Sequence, residues 1–102
     1  MVFAQALDDR GVIAFPNEAA AVSYCERRDV ESGQWSFFAS DGTPLKPVLS
    51  NAAAGYVLTP DPSSAADLKK RLASVAYVEG CGISTIEELE RHLNGTVQGG
   101  PR

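Results

Sequence analysis

The chain has 102 residues, of which 44% are hydrophobic and 22% charged, and its formal net charge is −4. That length accommodates one domain with one core, and the composition is that of an ordinary globular chain, which excludes disorder along most of its length. A mildly acidic balance without a strongly basic face argues against a tight electrostatic grip on a phosphate backbone.

The charge is uneven: residues 1–31 carry six acids against three bases, residues 87–91 three against one, and the segments between them balance. The opening MVFAQALDDR turns acidic after seven positions and lacks the basic and long apolar segments of a signal peptide. No apolar run approaches the roughly 20 positions of a membrane span, so the expected location is the cytoplasm. Cys25 and Cys81 fit two free thiols in a reducing compartment better than a disulfide framework.

Asp8-Asp9-Arg10-Gly11 is a turn composition, and the apolar run Val12-Ile13-Ala14-Phe15, closed by Pro16, predicts the first strand. Asn17 caps a helix whose first turn holds Glu18 and whose apolar stripe is Ala21, Val22 and Cys25. Glu26, Arg27 and Arg28 face water, and the polar Asp29-Val30-Glu31-Ser32-Gly33 ends that helix. The aromatic weight lies in residues 34–59. Trp35 and Phe37 point to one face of a strand and Ser36 and Phe38 to the other, and Asp41-Gly42 supplies a tight reversal. Pro44 and Pro47 mark residues 45–49 as an edge strand, or only partly a strand, because a residue without an N–H cannot sit mid-ladder. Gly55 opens a third run, Tyr56-Val57-Leu58-Thr59, which Pro60 closes.

Beyond it, Pro62-Ser63-Ser64 suits a helix start, with Ser64 and Asp67 resembling a capping box. Ala65, Leu68, Leu72, Val75 and Ala76 form a seam at helical spacing, which predicts a helix as far as Tyr77 or Val78, before the Gly80-Cys81-Gly82 break. Ser84 with Glu87 reads as the capping box of a last helix whose inward stripe is Ile86, Leu89 and Leu93, and Asn94-Gly95 is its expected stop. The domain therefore spans residues 1–95, and residues 96–102 form a loose tail.

One resemblance covers about half of the chain. Phe15-Pro16-Asn17-Glu18-Ala19, Tyr24-Cys25-Glu26, residues 29–38 (DVESGQWSFF) and Asp41-Gly42-Thr43-Pro44-Leu45 together resemble a group of small uncharacterised bacterial proteins. Some compact acidic proteins of this appearance are immunity partners of secreted toxins, which the analogy implies for this chain. The group's pattern supplies no catalytic residue to carry over.

Candidate chemistry is sparse. Glu88 and His92 stand one turn apart on the last helix and could share a metal or a proton, but no further ligands occur at a readable spacing, and a solvated His at a helix end is the simpler reading. Cys25 with His92 as nucleophile and base lacks an orienting third group. Residues 80–84 open a helix and could bind an anion through backbone N–H groups, but glycines relieving strain before a capping box are the favoured reading, given the acidic helix beyond them. Lys69-Lys70-Arg71 is the one basic triplet and reads as a solvated helix face. Trp35, Tyr24, Tyr56 and Tyr77 could form an aromatic surface, with Trp35 better placed in a core.

These readings converge on an α+β domain: an antiparallel sheet of three or four strands, helices on one face, in the order β-α-β-β-β-α-α. No catalytic residue, metal ligand or cofactor site is assigned, and no binding residue is singled out. The leading expectation is a non-catalytic domain that binds another protein. Immunity against a basic toxin, nucleic-acid binding and small-molecule catalysis follow in that order, and an unpaired edge at residues 45–49 would also serve as a homodimer seam.

Overall fold

The computed structural model describes residues 1–49, 56–61 and 68–98, with backbone alone for 95–98. In chain order the elements are β1 (Val2–Ala6), β2 (Gly11–Phe15), α1 (Glu18–Tyr24), α2 (Arg27–Glu31), β3 (Trp35–Ala39), β4 (Pro44–Leu49), β5 (Tyr56–Pro60), a 3-10 turn (Leu72–Ser74), β6 (Tyr77–Glu79) and α3 (Ile86–Gln98). The α+β class is as expected, but the sheet has six strands in the order β5-β4-β3-β1-β2-β6.

The sheet is larger than the sequence suggested because β1 carries no alternation. Val2, Phe3, Ala4 and Gln5 are all buried, since β1 lies between β2 and β3 with side chains packed on both of its faces. A strand covered on both sides reads as a short apolar run rather than a period-two pattern. Around β1, Phe3 stands opposite Ala14 and Phe38 on one face, which is sheltered by α3. That face gathers Phe3, Val12, Phe38, Val78, Leu89 and Leu93. The other face, under α1 and α2, gathers Val2, Ala4, Phe15, Ala21, Cys25, Val30, Phe37 and Leu58. Helices therefore cover both faces and not one.

The predicted helix across residues 65–78 is the main correction. Its cap at Pro62-Ser63-Ser64, the Ser64–Asp67 box and Ala65 lie outside the described residues, as do Gly55 and the last four positions. From Leu68 the chain makes a tight turn and the 3-10 turn, then extends at Val75 and pairs as β6 with β2, Val12 opposite Val78. This pair is parallel, so the sheet is mixed. Of the predicted seam, Leu68 and Val75 enter the α3-side core and Leu72 packs against it, while Ala76 is exposed; Val78, outside that seam, joins the same core. A strand suits this stretch better than a helix because β2 otherwise keeps an open edge of backbone donors and acceptors, and the Val-Ala-Tyr-Val sequence favours extended backbone.

The prolines explain the strand order on the other side. Asp61 N donates to Pro44 O at 2.9 Å, so residues 44, 46 and 48 aim their backbone groups at β5, while 45, 47 and 49 aim at the β3 side. β3 pairs with β4 only at Leu45 and Pro44, so Pro47 faces a stretch where no β3 bond is forgone. Residues 45–49 are consequently not the sheet edge: β5 is. Two devices blunt that outer edge. Pro60 turns its missing donor outward, and the Glu18 carboxylate accepts from Leu58 N at 2.8 Å.

Local chemistry confirms several smaller readings. Asn17 caps α1 by accepting from Ala20 N at 2.9 Å, and Gly42, with φ of 92°, makes the β3–β4 reversal while the Asp41 carboxylate accepts from Thr43 N. The polar stretch after α1 forms one further helical turn, α2, held in part by the Arg27–Glu31 pair. The capping box of α3 sits one residue later than expected: Thr85 Oγ1 accepts from Glu88 N, and Glu88 Oε1 accepts from Thr85 N, both at 3.1 Å. α3 also runs through Asn94 and Gly95 to Gln98, where a stop was expected.

Candidate functional site

α3 covers only part of its face of the sheet. Toward the β1–β2 turn and the start of β3 the same face is open, and there two adjoining cavities form a trough across the strands. The first, of about 200 Å³, is lined by Gln5, Leu7, Arg10, Ser36, Arg71 and Ser74, together with Ala6. The second, of about 240 Å³, continues over β3 and β4 to Lys46, Pro47 and Asp61, and it shares Ser36 and Arg71 with the first.

Each lining group is placed by a definite local device. Gln5 follows Phe3 on the α3 side of the central strand and is only 5% exposed. Its Nε2 donates to Arg10 O and to Ser74 Oγ, both at 3.4 Å, the long end of the hydrogen-bond range. Among the described residues nothing donates to its carbonyl oxygen. Arg10 closes the β1–β2 turn in the left-handed region, φ 58°, where Gly or Asn is usual. The Asp9 carboxylate holds that turn by accepting from Gly11 N at 2.9 Å and from Tyr77 OH at 2.8 Å. The Gly11 N–H is the larger of these two influences keeping the Asp9 carboxyl below the ordinary range. Arg71 precedes the 3-10 turn, with its guanidinium 5.4 Å from the centre of the Phe38 ring, and its carbonyl accepts from Ser74 N and Ser74 Oγ, both at 2.8 Å. Ser36 occupies the half-buried outer alternation of β3.

The trough is electropositive on an acidic chain. Arg10, Lys46 and Arg71 enter no ion pair among the described residues, while Arg27 and Arg28 pair with Glu31 and with Glu26 and Asp29. Asp61, at the far end of the second cavity, is the carboxylate among the described lining residues. The arrangement can bind, orient and neutralise an anion. None of its groups is a nucleophile paired with a base.

The sequence candidates are dispersed. Cys25 lies in the core beneath α1, whereas His92 packs edge-on against Phe3 on the opposite side of the sheet, so the two cannot act together. Burial pushes the Cys25 thiol up to about 12, which leaves it protonated and inert at neutral pH. Glu88 turns back to the start of α3, where its Oε1 accepts from Ser84 N at 2.8 Å, and His92 Nε2 meets Ser40 Oγ at 3.1 Å. The donors that an anion would need at residues 80–84 are in part taken by Glu88 itself. There Gly80, Cys81 and Gly82 all have positive φ, and Cys81 Sγ donates to Ala14 O at 3.4 Å. The basic triplet splits: Lys69 approaches Asp41, whose carboxyl is lowered chiefly by the Thr43 hydroxyl, and Arg71 turns over Phe38. Of the aromatics, Trp35 is half-buried and edge-on to the exposed Tyr24, Tyr56 is buried, and Tyr77 covers Gly11.

Sequence reasoning assigned no role to Gln5, Arg10, Ser36, Lys46 or Ser74. One available signal was Gln5, a polar residue inside an apolar run. No group of His, Cys, Asp and Glu able to hold a metal occurs among the described residues, and none of their helices is long and apolar enough to cross a membrane. Comparison with protein-family models, curated proteins and solved structures finds no match.

Proposed function

We propose that this chain is a protein-binding domain that acts without catalysis and takes its partner on the β4–β5 ribbon beside the trough. The observation that carries this reading is the pair Val48 and Val57, directly opposite each other on the trough side of the ribbon and 46% and 52% exposed. Leu49, 38% exposed, adds apolar surface on the reverse of the same ribbon. Apolar side chains gathered on a strand pair that projects beyond β3 supply the dry centre of an interface, with Lys46 and Thr59 as its polar rim.

Toxin neutralisation by the acidic first third draws less support. Its acids are largely engaged at home: Glu18 with Leu58 N, Asp9 with Gly11 and Tyr77, Glu26 and Asp29 with Arg28, and Glu31 with Arg27. Nucleic-acid binding through Lys69, Lys70 and Arg71 loses its single basic patch, because Lys69 and Arg71 turn to different neighbours.

The test is site-specific photo-crosslinking in the native host. A photoreactive residue at position 57 is expected to trap one partner in stoichiometric yield, and Val48→Asp is expected to abolish the adduct while leaving the folded spectrum intact. The same label at Glu90, on the exposed side of α3, should trap nothing. Equal labelling from both positions would sink the proposal.

A further inference from the structure

The geometry points to the first cavity of the trough as a binding site for a phosphate group, held by Arg10 and Arg71 with Gln5 and Ser36. This goes beyond partner binding at the ribbon and stands without it. Four observations converge. Arg10 and Arg71, which enter no ion pair among the described residues, both line one cavity of about 200 Å³, large enough for a phosphate and a small organic remainder. Guanidinium forks match oxyanions in geometry and charge.

The second observation is Gln5, a carboxamide more than nine-tenths buried in the floor, whose two donor contacts are both long and therefore easily exchanged for a ligand oxygen. Third, the Ser36 hydroxyl faces the same cavity and makes no hydrogen bond with a described residue. Fourth, Arg10 occupies a left-handed position at which glycine would cost less, so the side chain itself is what that position supplies. The donors around the cavity outnumber the two oxygens of a carboxylate, and a tetrahedral oxyanion of nearly two charges uses them better.

The test is a titration of the full chain, labelled with nitrogen-15, at fixed ionic strength. Inorganic phosphate is expected to shift the Gln5 side-chain amide and the Ser36 backbone amide saturably, while chloride moves them little and without saturation. Arg71→Gln and Arg10→Gly should each weaken binding by about ten-fold, since each removes one charge-assisted hydrogen-bonding group from the anion. Arg10→Gly relieves its own backbone, so weaker binding there cannot be blamed on misfolding. Arg91→Gln, on the far side of α3, should bind like the parent. Glycerol phosphate binding as well as or better than inorganic phosphate assigns the site to a phosphorylated small molecule; binding of inorganic phosphate alone assigns it to the free ion. Succinate saturating the same resonances where phosphate does not, or well-folded Arg10→Gly and Arg71→Gln proteins that titrate like the parent, would overturn the proposal.

Discussion

At the scale of single residues, three glycines separate space from conformation. A Cβ at Gly80 would stand 2.3 Å from Ala14 O at a φ of 104°, so both the fit and the backbone forbid it, and the obstacle is main chain that cannot move aside. At Gly82 the φ is 77° but nothing lies within 4 Å. At Gly11 the backbone is ordinary and the obstacle is the Tyr77 ring at 2.2 Å, which can swing out by giving up its bond to Asp9. Alanine at these sites should therefore rank Gly80 well above the other two. Urea unfolding is expected to show a destabilisation of more than about 3 kcal/mol at Gly80, and about 1 kcal/mol at Gly82 and at Gly11. A Gly80→Ala protein as stable as Gly82→Ala would show that Gly80 does not abut the Ala14 carbonyl. The turn glycine Gly42 was legible from its Asp-Gly dipeptide. Gly80 was not, because its need arises from a strand 66 residues earlier in the chain.

At the scale of elements, α3 shows how a cap ties stability to pH. Glu88 Oε1 receives three donors from Ser84 and Thr85, and the Ser84 N–H, first among them, holds the carboxyl below its ordinary range. A carboxylate whose folded value is depressed adds stability above its unfolded value, and that contribution disappears as pH falls through the folded one. The parent should accordingly exceed Glu88→Gln in stability at neutral pH, and the gap should narrow once pH drops below about 4.3, the unfolded value for Glu. Paired thermal melts across that range read the difference directly; a gap independent of pH would assign the cap to shape and not to charge. The same element marks how far sequence reading reached. The inward stripe Ile86, Leu89 and Leu93 was visible because one face of α3 meets solvent, and Ser-Thr in tandem left the cap ambiguous by one residue. The helix across 65–78 failed for the opposite reason: its apolar spacing fits a turn followed by a strand as well, and only the vacancy beside β2, a long-range fact, decides between them. The trough was unreadable because its donors come from β1, the β1–β2 turn, β3 and the segment before the 3-10 turn, and no local pattern joins them.

At the scale of the whole molecule, one sheet separates two cores that share no side chains but share every backbone bond of β1 and β3. Leu89, on α3, and Val30, on α2, lie on opposite sides of the sheet. Leu89→Ala is expected to cost about 3 kcal/mol and Val30→Ala about 2 kcal/mol. The double variant should be destabilised by their sum to within about 0.5 kcal/mol, with one transition seen by both fluorescence and circular dichroism. Two separated transitions would mean that the layers melt independently and that the sheet does not couple them.

The parallel pairing of β2 with β6 has a consequence for how the chain is made. On the ribosome, β2 emerges early and its outer side stays bare until residues 77–79 have also left the exit tunnel. During that interval a nascent molecule offers neighbouring polysomes a ready row of peptide groups along Gly11, Val12 and Ile13. Translation pauses before β6 has left the tunnel therefore lengthen the period in which holdase chaperones are needed, and later pauses do not.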